Sequence, residues 1–276
     1  MRSEWVKVRL EDVTSILGDG LHGTPEYDDN GDYFFVNGNN LRDGKIVVDE
    51  KTRRTSLAEF NKYKKNLNER TILVSINGTI GNIALYNGEK VVLGKSACYF
   101  NVLESIDKGF IKYVVSGRPF QDYIHTLATG TTIKNVSLKL MRDFECYLPS
   151  IGTQKKISDT LGCLDNRITL LRETNSTLEA IAQALFKSWF IDFDPVKAKA
   201  EGREPEGMDA DTAALFPSEF EDSELGPIPK GWKIKRLAET FDLNPTYKLS
   251  KGTAAPYLDM ANVPLSGSRV DNVRHY

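Results

Sequence analysis

The spacing of apolar and polar positions changes character along the chain. Up to about residue 150, short apolar runs alternate with turn residues. Tyr33-Phe34-Phe35-Val36 runs into Asn37-Gly38-Asn39-Asn40, and Asp43-Gly44 precedes Lys45-Ile46-Val47-Val48. Thr71-Ile72-Leu73-Val74-Ser75-Ile76 meets Asn77-Gly78. Ile83-Ala84-Leu85-Tyr86 meets Asn87-Gly88, then Lys90-Val91-Val92-Leu93. β-Branched and aromatic residues punctuated by Asn-Gly and Asp-Gly predict strands joined by tight turns. Ser56 to Asn66 and Lys108 to Thr126 carry helical spacing. The segment 1–150 is therefore read as an α+β domain with strands dominant.

A different period follows. Ile157, Leu161, Leu164, Ile168, Leu171, Asn175, Leu178, Ala182, Leu185 and Trp189 stand four and three residues apart in alternation. This a/d heptad predicts one long helix over 151–190, with Thr153 as its N-cap, that needs a partner helix. At 1.5 Å per residue it spans roughly 55 Å. Asn175 either fixes register inside the seam or sits at a solvated edge; the spacing allows both. Residues 191–230 hold Pro195, Pro205, Pro217, Pro227 and Pro229, with 11 acidic and 4 basic residues. They read as an irregular, solvated linker.

An internal echo marks what comes next. Trp5-Val6-Lys7-Val8-Arg9-Leu10 recurs as Trp232-Lys233-Ile234-Lys235-Arg236-Leu237, at an offset of 232 − 5 = 227. Phe35…Asn40-Leu41 recurs as Tyr257…Asn262-Val263, at an offset of 222. Two echoes in the same order make 231–276 the start of a second domain of the first kind, cut short at Tyr276. The alternative is chance recurrence of Trp-x-x-x-Arg-Leu.

Composition removes several classes. The chain has 276 residues, 40% hydrophobic and 27% charged, with net charge −2. That excludes a strongly basic coat but not a local basic face. The linker alone carries 4 − 11 = −7, leaving −2 + 7 = +5 elsewhere. Cys98, Cys146 and Cys163 form no CxxC pair, and His22, His125 and His275 form no HExxH pair, so no metal is expected. Charges occupy Met1 to Lys7 where a signal core would be apolar, and no apolar run approaches a membrane span. A cytoplasmic, reduced setting is expected, with no membrane partner.

Two segments imitate catalytic motifs. Gly94-Lys95-Ser96 resembles the end of a phosphate-binding loop, but that loop needs a glycine where Glu89 stands; Gly88 is one residue out of place. Asn244-Pro245-Thr246-Tyr247 resembles an amino-methyltransferase tetrapeptide with its third residue wrong. No catalytic residues and no cofactor are expected, and the chain reads as a binder. Three loops combine glycine, hydroxyl and amide or basic residues: Asp19 to Pro25, Ser75 to Gly81 and Thr129 to Asn135. Such residues suit close approach to phosphates and base edges. The same residues also make ordinary turns.

Taken in order, these pieces resemble the specificity subunit of type I restriction-modification enzymes. The matching pieces include Trp5 to Leu10, the Asp19-Gly20-x-His22-x-Thr24-Pro25 loop, Gly78-Thr79-Ile80-Gly81 and Gly130-Thr131-Thr132-Ile133. Leu148-Pro149 then leads into Gln154-Lys155-Lys156-Ile157. The most specific stretch is Leu178 to Phe193, followed by Leu225-Gly226-Pro227-Ile228-Pro229-Lys230-Gly231-Trp232. The resemblance covers essentially the whole chain.

It implies target recognition domains that each read one half of a split site on double-stranded DNA. It further implies paired antiparallel helices as a ruler, methyltransferase subunits docked on that frame, and a restriction/translocase subunit that joins for cleavage. Target recognition domain 1 is then 1–150 and the conserved spacer helix 151–190. Residues 191–230 are the acidic linker, and 231–276 begin target recognition domain 2. The candidate DNA contacts are His22, Thr24, Asn39, Asn77, Thr79, Thr131, Thr132, Lys134 and Asn135. Lys187, Trp189 and Phe190 are either a methyltransferase contact or core. The missing second helix marks a fragment, a truncated frame or a natural half-subunit; in the last case two copies pair through 157–189. A coiled-coil scaffold without DNA binding and a phosphotransfer or methyl-transfer enzyme are the competing classes.

Overall fold

The computed structural model describes residues 5–130, 133–242, 245, 246, 248–250, 252–258, 260–263, 274 and 275. The chain divides into two compact units, Met1–Ser176 and Thr177–Tyr276.

The first unit begins with β1 (Val6–Arg9), β2 (Thr14–Asp19), β3 (Tyr33–Val36), β4 (Leu41–Arg42), β5 (Lys45–Ile46), β6 (Arg54–Thr55) and α1 (Leu57–Tyr63). It continues with β7 (Thr71–Ser75), β8 (Ile83–Leu85), β9 (Val91–Leu93), β10 (Ala97–Val102), α2 (Lys108–Ser116), α3 (Arg118–Leu127), α4 (Leu138–Asp143) and β11 (Glu145–Leu148). The long helix α5 (Ile151–Phe186) follows.

An antiparallel sheet ordered β2-β10-β7-β8 forms the centre. Ile72, Val74, Cys98 and Phe100 face a core built with Leu10, Ile111, Phe120, Ile124 and Met141. Their neighbours Leu73, Ala97 and Tyr99 face a second core with Val36, Leu41 and Leu93. Both faces of β7 and β10 are therefore buried. A smaller sheet, β6-β3-β9, sets β3 parallel to β9. Asp43 and Gly44 turn the β4–β5 hairpin with φ of 49° and 76°. Positive φ at both central positions is what a type I′ turn requires.

The sequence reading needs correcting in three places. The helical spacing over Lys108 to Thr126 resolves into two helices: Gly117 is extended (ψ 153°), and Pro119, which has no N–H, sits in the first turn of α3. Thr153 is not the N-cap of α5. The Ser150 carbonyl accepts from the backbone N of Thr153 and Gln154, both at 2.9 Å, and Thr153 lies inside the first turn. Residues 191–230 are not irregular throughout, as the second unit shows.

Within the first unit, α5 has two distinct faces. Gln154 is buried; its Oε1 accepts from Asp107 N (2.9 Å) and its Nε2 donates to the Pro149 carbonyl (2.8 Å). A Cβ on Gly109 would meet Ser158 at 2.9 Å. Asp165 takes the Lys112 ammonium and the Tyr113 hydroxyl, the latter at 2.8 Å, and Arg172 reaches Asp43 at 3.7 Å. This docking face is polar. Leu161, Leu164, Ile168 and Leu171 belong to the other face and are exposed.

In the second unit, a π-helical turn (Lys187–Ile191) follows α5 and leads to α6 (Asp194–Ala200) and α7 (Ala210–Ala214). A hairpin of β12 (Phe220–Glu221) and β13 (Ile228–Pro229) comes next, and β14 (Pro256–Tyr257) pairs with β15 (Arg274–His275). Aromatic rings order the acidic segment: Phe216 lies against Trp189 and Phe190, and Trp232 against Phe190 and Phe193. Val196, Ala198 and Phe216 are buried.

The internal echo carries over to local structure. A 3-10 turn begins at Leu10 and another at Leu237, and 10 + 227 = 237. The 3-10 turns Gly38–Asn40 and Met260–Asn262 are separated by 222. Residues 233–236, which echo β1, form no strand. In the first unit β1 pairs with β11.

Candidate functional site

Two of the three candidate loops are joined directly, and the first is brought beside them. Loop one is pinned to the β9–β10 turn: Leu21 N donates to Leu93 O (2.7 Å) and Lys95 N donates to Leu21 O (2.9 Å). A Cβ at residue 20 would lie 2.2 Å from Leu93 O, so only glycine fits there. Loops two and three clasp each other. Gly78 N donates to Lys134 O (2.9 Å), Val136 N to Ile76 O (2.8 Å), and Asn77 Nδ2 to Asn135 Oδ1 (3.0 Å). Gly78 has φ 74°, which lets the turn close.

A hollow of about 510 Å³ lies where they meet, lined by Asp19, His22, Asn77, Lys95, Asn135 and Ser137 among others. His22 Nε2 is 2.6 Å from Asp19 Oδ2. An ionised carboxylate only accepts, so Nε2 is the donor of this pair. The Asp19 side chain is only 20% exposed, which keeps the pair in place. Two amides, an ammonium and an imidazole give the hollow a mixed set of donors and acceptors. That chemistry fits recognition of polar edges and phosphate oxygens. Among the described residues, no group of three or more His, Cys, Asp or Glu side chains is placed to hold a metal ion. No described helix is long and apolar enough to cross a membrane.

Of the candidates, His22, Asn77 and Asn135 share the hollow. Thr24, Thr79 and Lys134 are exposed on the same loops without lining it. Asn39 sits elsewhere, in the Gly38–Asn40 turn, where its carbonyl accepts from Arg42 Nε (2.8 Å). Thr131 and Thr132 lie outside the described residues. The structure adds Lys95, set aside in the sequence as part of an imperfect nucleotide loop. The turn at Gly94 leads into β10, not a helix, and Leu21 bridges to Gly94.

Along α5, Leu161, Leu164, Ile168, Leu171, Asn175, Leu178 and Leu185 are exposed, as the unpaired seam of a coiled coil would be. Ile157 is half-buried against the first core. Trp189 leaves the seam because the π turn breaks the heptad phase, and its ring packs on Phe216.

A family model described as the type I restriction modification DNA specificity domain matches residues 2–180. The type I restriction enzyme MjaIX specificity subunit of Methanocaldococcus jannaschii is 25% identical over 247 residues, covering 87% of this chain and 49% of that protein. The HindI specificity subunit of Haemophilus influenzae is 32% identical over 146 residues, covering 39% of this chain and 32% of that protein. A chain from a solved structure on complex assembly and conformational transition of the type I R-M system superposes with TM-score 0.50 and 16% identity. It covers 67% of this chain and 44% of that one, and speaks for the fold alone. The chain spans about half the length of the first of these relatives.

Proposed function

Because the chain belongs to the type I restriction-modification DNA specificity family, matched over residues 2–180, we propose that it reads DNA sequence for a methylation and restriction complex. Residues 1–150 act as a recognition domain on one half of a bipartite site in double-stranded DNA. His22, Asn77, Asn135 and Lys95 meet the DNA at the hollow, with Thr24, Thr79, Thr131, Thr132 and Lys134 on the same three loops. Asn39 is an outlying contact. Affinity comes largely from phosphates and falls with salt. Discrimination comes from base edges, each good bidentate contact being worth about 1–3 kcal/mol.

The chain itself is non-catalytic and holds no cofactor. Methyl transfer and cleavage belong to methyltransferase and restriction/translocase subunits, in the cytoplasm. The helix over 151–190 is the spacer, and its exposed seam takes a partner helix, including that of a second copy. Residues 191–230, net negative, stay clear of phosphates, and 231–276 open a second recognition domain. The observation that carries this reading is the convergence of three loops, distant in sequence, on one polar hollow.

The test is co-expression with the methyltransferase subunit and mapping of adenine methylation across a genome. A split motif is expected. No methylation, together with no shift of random-sequence duplex at low salt, would leave a coiled-coil scaffold without DNA binding as the better reading. Sedimentation at tens of micromolar tests the seam: self-association is expected, and a monomer counts against pairing of two copies.

A further inference from the structure

Outside the hollow, the small sheet carries a surface that the three loops do not account for. Tyr33 and Phe35 alternate with Phe34 along β3 and so share a face. On that face Tyr33 stacks on Phe60, ring centroids 4.2 Å apart, and Phe35 lies 6.1 Å from Tyr27. Two cations rest on these rings. The Arg53 guanidinium is 5.5 Å from the Tyr27 centroid, and the Lys90 ammonium is 5.9 Å from that of Tyr33. They straddle β3 by backbone pairing: Phe35 N donates to Arg53 O (2.8 Å) and Phe34 N to Lys90 O (2.9 Å).

Three of the nearby carboxylates accept other hydrogen bonds, while Glu26, Asp29 and Asp32 are exposed beside Tyr27 and Tyr33. Glu59 accepts from Glu26 N and Lys62, Asp28 from Asn30 N, and Glu89 from Asn87 N. Neither Arg53 nor Lys90 is ion-paired among the described residues. A cation laid on a ring keeps its charge while losing little freedom when a second partner arrives.

The platform is tied to the hollow through β9: Lys90 precedes the strand, and Lys95, in the turn after it, lines the hollow. Tyr27 stands two residues beyond loop one and bridges to Thr55. We propose that this aromatic platform is a second DNA contact, in which Arg53 and Lys90 hold backbone phosphates of the same duplex whose bases are read at the hollow. The inference rests on the DNA-reading function proposed above.

The test is the salt dependence of binding to random-sequence duplex, using the full chain with its methyltransferase subunit. Removing one phosphate-neutralising cation should reduce the slope of log K against log salt by about 0.9. Arg53→Gln with Lys90→Gln is therefore expected to flatten the slope by about 2, and Arg53→Lys with Lys90→Arg to restore most of it. Lys156→Gln, an exposed lysine on α5, should leave it unchanged. A double glutamine variant that keeps its circular dichroism spectrum and the wild-type slope overturns the proposal while DNA reading stands. An equal flattening by Lys156→Gln also overturns it. Wild-type protein that binds no duplex removes both.

Discussion

Gln154 is the side chain on which the docking of α5 most directly depends. It is 2% exposed and joins three elements: the approach to α5 through Pro149 O, the start of α2 through Asp107 N, and α5 itself. Asp107 in turn caps α2 by accepting from Phe110 N at 2.7 Å. Gln154→Ala would leave one half-buried N–H and one buried carbonyl unpaired. Each such group costs about 1–3 kcal/mol, so a loss of about 3 kcal/mol is expected, before any cavity cost. For a unit of this size that corresponds to a fall in Tm of roughly 6–12 °C. The assay is thermal and urea unfolding of the full chain, followed by circular dichroism and by fluorescence. Gln183→Ala, at an exposed site on the same helix, is the control and should stay within about 0.5 kcal/mol. If the two variants unfold together, the buried amide does not hold the helix to the rest of the first unit.

Other outcomes follow from the same interactions. The Lys112 ammonium, then the Tyr113 hydroxyl, lowers the Asp165 carboxyl below its ordinary value of 3.8. Its contribution to stability is present above that value and lost as pH falls through the depressed one. The stability gap between wild type and Asp165→Asn should therefore close in acid; a gap constant from pH 6 to pH 2 would contradict the pairing. Burial pushes the Cys146 thiol up to about 11 and the Cys98 thiol higher still, whereas Cys163 is exposed. Native protein should show one fast-reacting thiol with an aromatic disulfide reagent, and a second fast thiol would show that a core opens. Lys95→Ala should weaken duplex binding for all sequences, while Asn77→Ala should lose about 1–3 kcal/mol for the preferred base only. Competition against randomised duplex separates the two patterns.

The parts legible in sequence were those set by local chemistry. Asp43-Gly44 forms its turn, the helical spacing from Ser56 becomes α1 although the helix stops at Tyr63, and the heptad from Leu161 to Leu178 lies on one helix. What stayed hidden was set by long-range pairing. β10, Ala97–Val102, is buried throughout, because it sits between β2 and β7 with a core on each face. Such a strand loses the alternation that would reveal it. Lys95 was hidden for a related reason. Only the bridge from Leu21 to Gly94 places it beside His22, and no spacing rule joins residues so far apart. The order in 191–220 was masked by prolines and acidic residues, whose local signals are outweighed by the burial of Phe216 and Val196.

The two faces of α5 also limit how this helix can change length. Gln154, Asp165 and Arg172 fix the rotation of the helix against the first unit, and the apolar seam runs along a different azimuth. One residue inserted after Arg172 would turn everything downstream by about 100° and swing the later seam away from its partner. Seven residues would turn it by only about 20° while adding about 10 Å. If α5 serves as the proposed spacer, it is graduated in near-heptad steps, and the gap between half-sites should change in jumps rather than one base pair at a time.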